Sequence, residues 1–216
     1  MSKERKQAII ILAIESAVAG GSISLIRGGN VIAGTAGEGS VSRAEDLLSG
    51  IDALLKEAGV EKAELTRIAV SIGPGSFTGL RIGLATAIGL STALNIPCRG
   101  VPLFEAVAAG SNSVVAIVVP LGRSDLCYRL FDNGVARNDH LVGDTAEFAS
   151  FVQASRPDRI AHHPDVDVSQ LDNNSSSNIV LTNIGYNLAE YVGRYADDST
   201  DTGQLEPIYV RNPRFA

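Results

Sequence analysis

The chain has 216 residues, of which 45% are hydrophobic and 19% charged, and its formal net charge is −6. That is apolar material enough for one core or two small lobes, and it excludes global disorder. The acidic balance excludes the chain as the main grip on nucleic acid, which calls for a basic face; its four lysines (Lys3, Lys6, Lys56 and Lys62) all precede residue 63.

Lys3, Arg5 and Lys6 ahead of Ala8–Ile14 imitate a signal peptide. Seven apolar residues before Glu15 are too few for one, so the run reads as a buried strand. No segment reaches the roughly 18 apolar residues of a membrane span, and the expected location is the cytoplasm. Cys98 and Cys127 sit in apolar surroundings and read as buried thiols of a reducing compartment.

Ser22–Arg27 alternates as a second strand, Gly28–Asn30 turns, and Val31–Thr35 returns as a third. Ser42 and Glu45 have capping-box spacing ahead of a helix carrying Ala44, Leu47, Leu48, Ile51, Leu54, Leu55 and Ala58 at helical period, with Gly59 as its C-terminal stop. Arg67–Ile72 is a strand, Phe77–Leu94 a helix, Arg99–Val101 a short strand and Leu103–Ala109 a helix. From Ser113 the order restarts. Val114–Val119, Leu126–Phe131 and Val135–His140 read as strands, Thr145–Gln153 as a helix, Arg159–Ala161 and Ile179–Thr182 as strands, and Asn183–Tyr195 as a helix.

This doubled βββαβα order predicts an α/β protein of two ribonuclease-H-like lobes with a cleft between them, the actin-like (ASKHA) architecture. The expected domains are residues 8–110, a smaller second lobe at 113–206, and a tail at 207–216.

The glycine-rich stretch Ser71–Gly83 (SIGPGSFTGLRIG) joins strand to helix. A phosphate loop of the Walker type needs Lys and Ser/Thr after its last glycine, but Gly79 precedes Leu80 and Arg81. Gly73, Gly75 and Gly79 approach a dinucleotide fingerprint, yet the loop does not follow the first strand of a βαβ unit and no acid lies about 20 residues on. Backbone N–H groups at Ser76 and Thr78, with Glu15 and Ser16 after the first strand, remain as candidate contacts for an anion or nucleotide. Weak ATP or ADP binding is the most they predict, and no cofactor is expected.

Gly79, Gly83, Ala87 and Ser91 recur every four residues as one smooth helical stripe, which suits close approach by another helix. Ser76 lacks the setting of a nucleophile, so no catalytic residue is expected. His162 and His163 read as a solvated loop, and no metal site is expected.

ILAIES (Ile11–Ser16), SRAEDLL (Ser42–Leu48), SIGPGSFTGLRIGLATAIGL (Ser71–Leu90), IPCRGVP (Ile96–Pro102) and PIYVR (Pro207–Arg211) together resemble the glycoprotease-like TsaB/YeaZ family. The resemblance is dense over residues 9–102, thin over 113–200, and returns at PIYVR. It implies a non-catalytic scaffold in threonylcarbamoylation of the adenosine beside the anticodon of ANN-reading tRNAs. The implied partners are a TsaD-type catalytic homologue and a TsaE-type ATPase, with tRNA met only through the complex and a homodimer when the chain is alone.

The helices beginning at Ser42 and Ser76 carry the implied pairing surface, with Arg43, Leu47, Gly50, Ile51, Gly79, Gly83, Ala87 and Ser91 as its candidate residues. TsaD-type proteins have an H-x-x-x-H metal pair where this chain has Leu103 and Val107, which disfavours a metalloprotease. The alternative is a degenerate nucleotide-binding enzyme of the same architecture. Glu15 stands where the family has Asp, Arg43 where it often has His, and of a D-A-R-like segment only Arg123 is kept in PLGRSD (Pro120–Asp125).

Overall fold

The computed structural model describes residues 9–37, 46–122, 124–172, 178–197 and 203–210. β1 (Ile10–Glu15), β2 (Ser22–Arg27) and β3 (Asn30–Ala36) form an antiparallel meander. α1 (Leu47–Glu57), β4 (Arg67–Ser71), α2 (Phe77–Leu94), β5 (Cys98–Val101) and α3 (Leu103–Ala108) follow. β4 joins β1 in parallel and β5 joins β4, giving the order β3-β2-β1-β4-β5.

The second half supplies β6 (Val114–Pro120), β7 (Leu126–Asp132), β8 (Val135–Ala136), β9 (Leu141–Gly143), α4 (Thr145–Ser155), β10 (Arg159–His162), α5 (Ser169–Asp172), β11 (Val180–Asn183) and α6 (Ala189–Asp197). Its sheet reads β8-β7-β6-β10-β11, the same topology as the first, with β9 also on β7. The doubled α/β architecture is therefore present in both halves.

Period-two alternation in the two central strands sets the layers. Ile10, Leu12 and Ile14 of β1 face α1 and α2, packing with Ile51, Leu54, Leu55, Leu84 and Ala87. Ile11 and Ala13 face the other way, into a core shared with Val115, Ile117 and Val119 of β6 and with α3 and α6. Ala116 and Val118 of β6 look outward to Phe148 and Val152 of α4. The result is helix, sheet, helix, sheet, helix.

Cap chemistry sets several helix ends. Gly59 (φ +62°) follows α1; its N–H donates to Lys56 O and that of Val60 to Leu55 O, so both open carbonyls are satisfied. The expected capping box of Ser42 and Glu45 lies outside the described residues. Asp144 caps α4, its carboxylate accepting from Glu147 N–H while Glu147 accepts from Asp144 N–H.

Four expectations need correction. The last helix does not belong to the second lobe, as the 113–206 boundary assumed. α6 lies across β1, β2 and β4 of the first sheet, with Val192, Gly193 and Ala196 buried. Ser22 Oγ accepts from Ala189 N–H at its start, and Arg67 and Arg99 donate to the Tyr195 and Ala196 carbonyls at its end. Cations on the open carbonyls complement the helix dipole and fasten α6 to the first lobe.

Second, of the expected strand Val135–His140 only Val135–Ala136 (β8) forms, because the Asn138 side chain takes the ladder's place by accepting from Leu130 N–H at 2.8 Å; pairing with β7 resumes at Leu141 in β9. Third, His163 is not in a solvated loop. It is fully buried after β10, accepting from Asp165 N–H through Nδ1 and meeting Tyr186 edge-on.

The C-terminal segment also starts earlier than the expected tail. From Gly203 to Val210 it runs along the first lobe, bringing Gln204 O against Gly100 and donating from Ile208 N–H to Ile72 O at 2.7 Å.

Candidate functional site

The strand-to-helix loop is built by close backbone contact. Ile72 N–H donates to Val101 O and Leu103 N–H to Gly73 O, so the loop is tied to β5 and α3; the Gly73–Pro74 bond is cis. Ser76 N–H donates to Ala17 O at 2.7 Å, and Ser76 Oγ caps α2 by accepting from Gly79 N–H at 3.1 Å. Opposite lies the turn after β1. There the Glu15 carboxylate accepts from Ala17 N–H at 2.7 Å and Val18 N–H at 3.0 Å, and Ser16 Oγ donates to Gly79 O at 2.8 Å.

A side chain at Gly79 would run into Ser16 O, and one at Gly83 into Ser16 Oγ. The glycines are there because the β1–β2 turn presses on the helix. Glu15 is fully buried, and desolvation pushes its carboxyl up to about 7 against the lowering effect of its two N–H donors.

These contacts relocate most of the candidate residues. Glu15 and Ser76 accept from N–H groups of their own turns, Ser16 Oγ donates across to Gly79 O, and Thr78 stands exposed on the first turn of α2. The four do not converge on a common anion cradle.

Of the pairing candidates, Arg43 lies outside the described residues. Ile51, Gly79, Gly83 and Ala87 are buried within their own lobe. Leu47 is half-buried on the same core, Gly50 faces Ile23, and Ser91 Oγ donates to Ile96 O. The small stripe does mark a close approach, but what approaches is the β1–β2 turn of the same lobe.

The open side of α2 is the opposite one. Arg81, Ala85, Ile88, Gly89 and Thr92 repeat at helical spacing and are exposed, Ile88 by 44%, and Gly89 has open space before it. On α1, Leu48 is also exposed, by 56%. Arg81 is the only charged residue in α2.

The signal for this face was in the sequence: a helix apolar all round has something to cover on each side. Among the described residues, α2 is the one helix long and apolar enough to cross a membrane, but Leu80, Leu84 and Ala87 pack it onto the first sheet. No group of three or more His, Cys, Asp or Glu converges among the described residues. Leu103 of α3 is buried in the inter-sheet core and Val107 packs against it.

The family model described as TsaD, tRNA N6-adenosine threonylcarbamoyltransferase, matches residues 40–170, more than half of the chain. TsaB of Bacillus subtilis, named as a tRNA threonylcarbamoyladenosine biosynthesis protein, is 31% identical over 111 residues, 51% of this chain and 48% of its own. YeaZ of Pseudomonas aeruginosa superposes with a TM-score of 0.65 at 20% identity, over 94% of this chain and 100% of that one. The chain belongs to the TsaB/YeaZ family.

The chain spans 29% of the length of one curated mycobacterial relative that it matches and 63% of another. A glucomannokinase of Arthrobacter shares the fold with a TM-score of 0.55 at 10% identity, over 88% of this chain and 98% of that one. That likeness is one of fold alone and says nothing of kinase chemistry.

Proposed function

We propose that this TsaB/YeaZ-family chain serves tRNA threonylcarbamoylation as a non-catalytic scaffold, pairing with a TsaD-type homologue through the outward faces of α1 and α2. One observation carries the reading. The exposed side of α2 offers Ala85, Ile88, Gly89 and Thr92 to solvent without a charge among them, in a helix whose other side is already packed. An uncharged helical face of small and branched residues suits another helix, since small side chains let two backbones approach.

The metal-binding histidines of the TsaD type have no counterpart in Leu103 and Val107. The catalytic step therefore belongs to the partner, with a TsaE-type ATPase and tRNA joining the complex and the same face supporting a homodimer when the chain is alone. Weak nucleotide binding is the second reading. It is disfavoured because these groups already have partners: Glu15 accepts from Ala17 N–H, Ser16 Oγ donates to Gly79 O and Ser76 Oγ accepts from Gly79 N–H.

The test is co-purification with the TsaD-type homologue of the same organism. Ile88→Asp is expected to abolish the complex while leaving the melting temperature unchanged, since the side chain is open to water. A stable complex with that variant would overturn the pairing face. ATP hydrolysis by the purified chain alone would overturn the scaffold reading.

A further inference from the structure

Arg81 opens the outward face, and its position is fixed more firmly than its exposure suggests. The guanidinium lies 3.7 Å from the centroid of the Phe77 ring. Phe77 in turn lies 5.0 Å, centroid to centroid, from Tyr209. Tyr209 follows Ile208, whose N–H is bonded to Ile72 O. The far end of the chain thus supports a ladder of Tyr209, Phe77 and Arg81 on the first turn of α2.

Arg67, Arg99 and Arg129 serve the fold by donating to carbonyls or a carboxylate. Arg81 does neither: among the described residues its donors meet no acceptor and no carboxylate lies within salt-bridge distance.

We propose that Arg81 is the specificity contact of the pairing face, receiving a carboxylate from a different protein whose helix packs on Ala85, Ile88, Gly89 and Thr92. The inference rests on the pairing reading above and adds the chemistry of the partner. A partner that covers these residues also strips water from the neighbouring guanidinium, and a desolvated cation without a counter-charge strongly opposes binding. The partner must therefore bring an acid.

Pairing of α2 on α2 in a second copy cannot supply it, for Phe77–Leu94 contains no Asp or Glu. Whether α1 of a second copy does so is read from the self-association arm of the experiment. The planar fork of five donors suits a carboxylate, and stacking on Phe77 restricts it before the partner arrives, which lowers the entropy lost on docking.

The experiment measures affinity for the TsaD-type homologue by titration calorimetry at about 50 and about 300 mM NaCl, a range over which exposed charge pairs are progressively screened. Wild type, Arg81→Gln, Arg81→Glu and Ile88→Asp are compared, with self-association of each followed by sedimentation. Arg81→Gln is expected to weaken hetero-pairing about tenfold at low salt and to flatten its salt dependence. Arg81→Glu should weaken it further, while self-association, in which α2 offers the guanidinium no acid, should not be weakened by Arg81→Gln.

Wild-type affinity and salt dependence in Arg81→Gln, while Ile88→Asp abolishes binding, would overturn this inference alone. Equal loss of self-association would overturn the choice of a different protein as the partner. Normal binding by Ile88→Asp, or none by wild type, would overturn the pairing reading and this inference with it.

Discussion

Glu15 ends β1 with a carboxylate sealed from water, two backbone donors on one oxygen, and no cation paired with it among the described residues. Because burial raises its pKa from 4.5 to about 7, folding favours the protonated form. Its contribution to stability is therefore full below about pH 4.5, falls as pH rises through the interval to about 7, and is level above. The whole loss amounts to about 3 kcal/mol. Glu15→Gln keeps an oxygen for the Ala17 and Val18 N–H groups and cannot ionise. It should be more stable than wild type at pH 8 and similar at pH 4.5. Denaturant melts across that range give the answer, and parallel curves for the two proteins would show Glu15 to be uninvolved. The buried His163 titrates in the opposite sense, since desolvation lowers its pKa and its stabilising effect is lost as pH falls below its ordinary value. The difference between variant and wild type, rather than either curve, isolates Glu15.

Between elements, the decisive contact is that of the β1–β2 turn with α2. Gly83→Ala places a methyl on Ser16 Oγ and should cost about 1–3 kcal/mol by overpacking. Ser16→Ala in the same chain removes that oxygen, so a double-mutant cycle should show the pair to be coupled. Additive losses would mean that the stripe faces something else. The sequence made the stripe legible, because glycine inside a helix is unfavourable unless something comes close. It did not reveal what comes close, since Ser16 and Gly83 are joined only by tertiary packing. The face left open was harder to see. Leu80, Leu84 and Ile88 look like one ridge in sequence, yet the first two are buried and the third is not. A helix that is apolar all round carries no polar side to show which stripe meets the sheet.

At the scale of the molecule, the repeated strand order was readable from turn signals and alternation, and both sheets follow it. Alternation is a local property that survives in short strands. Ownership of the last helix was not readable, because amphipathic periodicity reports an apolar face without naming the sheet that receives it. The Tyr209–Phe77 contact joins residues too far apart in sequence for any local pattern to announce it. α6, meanwhile, covers the inner side of the first sheet, where Ile11, Ala13, Ile26 and Ala69 meet Val192 and Ala196. A cut between the halves, near residue 110, would thus take the lid from one sheet and leave the other with a helix it does not need. The first fragment should precipitate when made alone and become soluble when the second is expressed beside it, the two behaving as a split protein that reassembles. A soluble, cooperatively melting first fragment would show instead that the halves are independent modules.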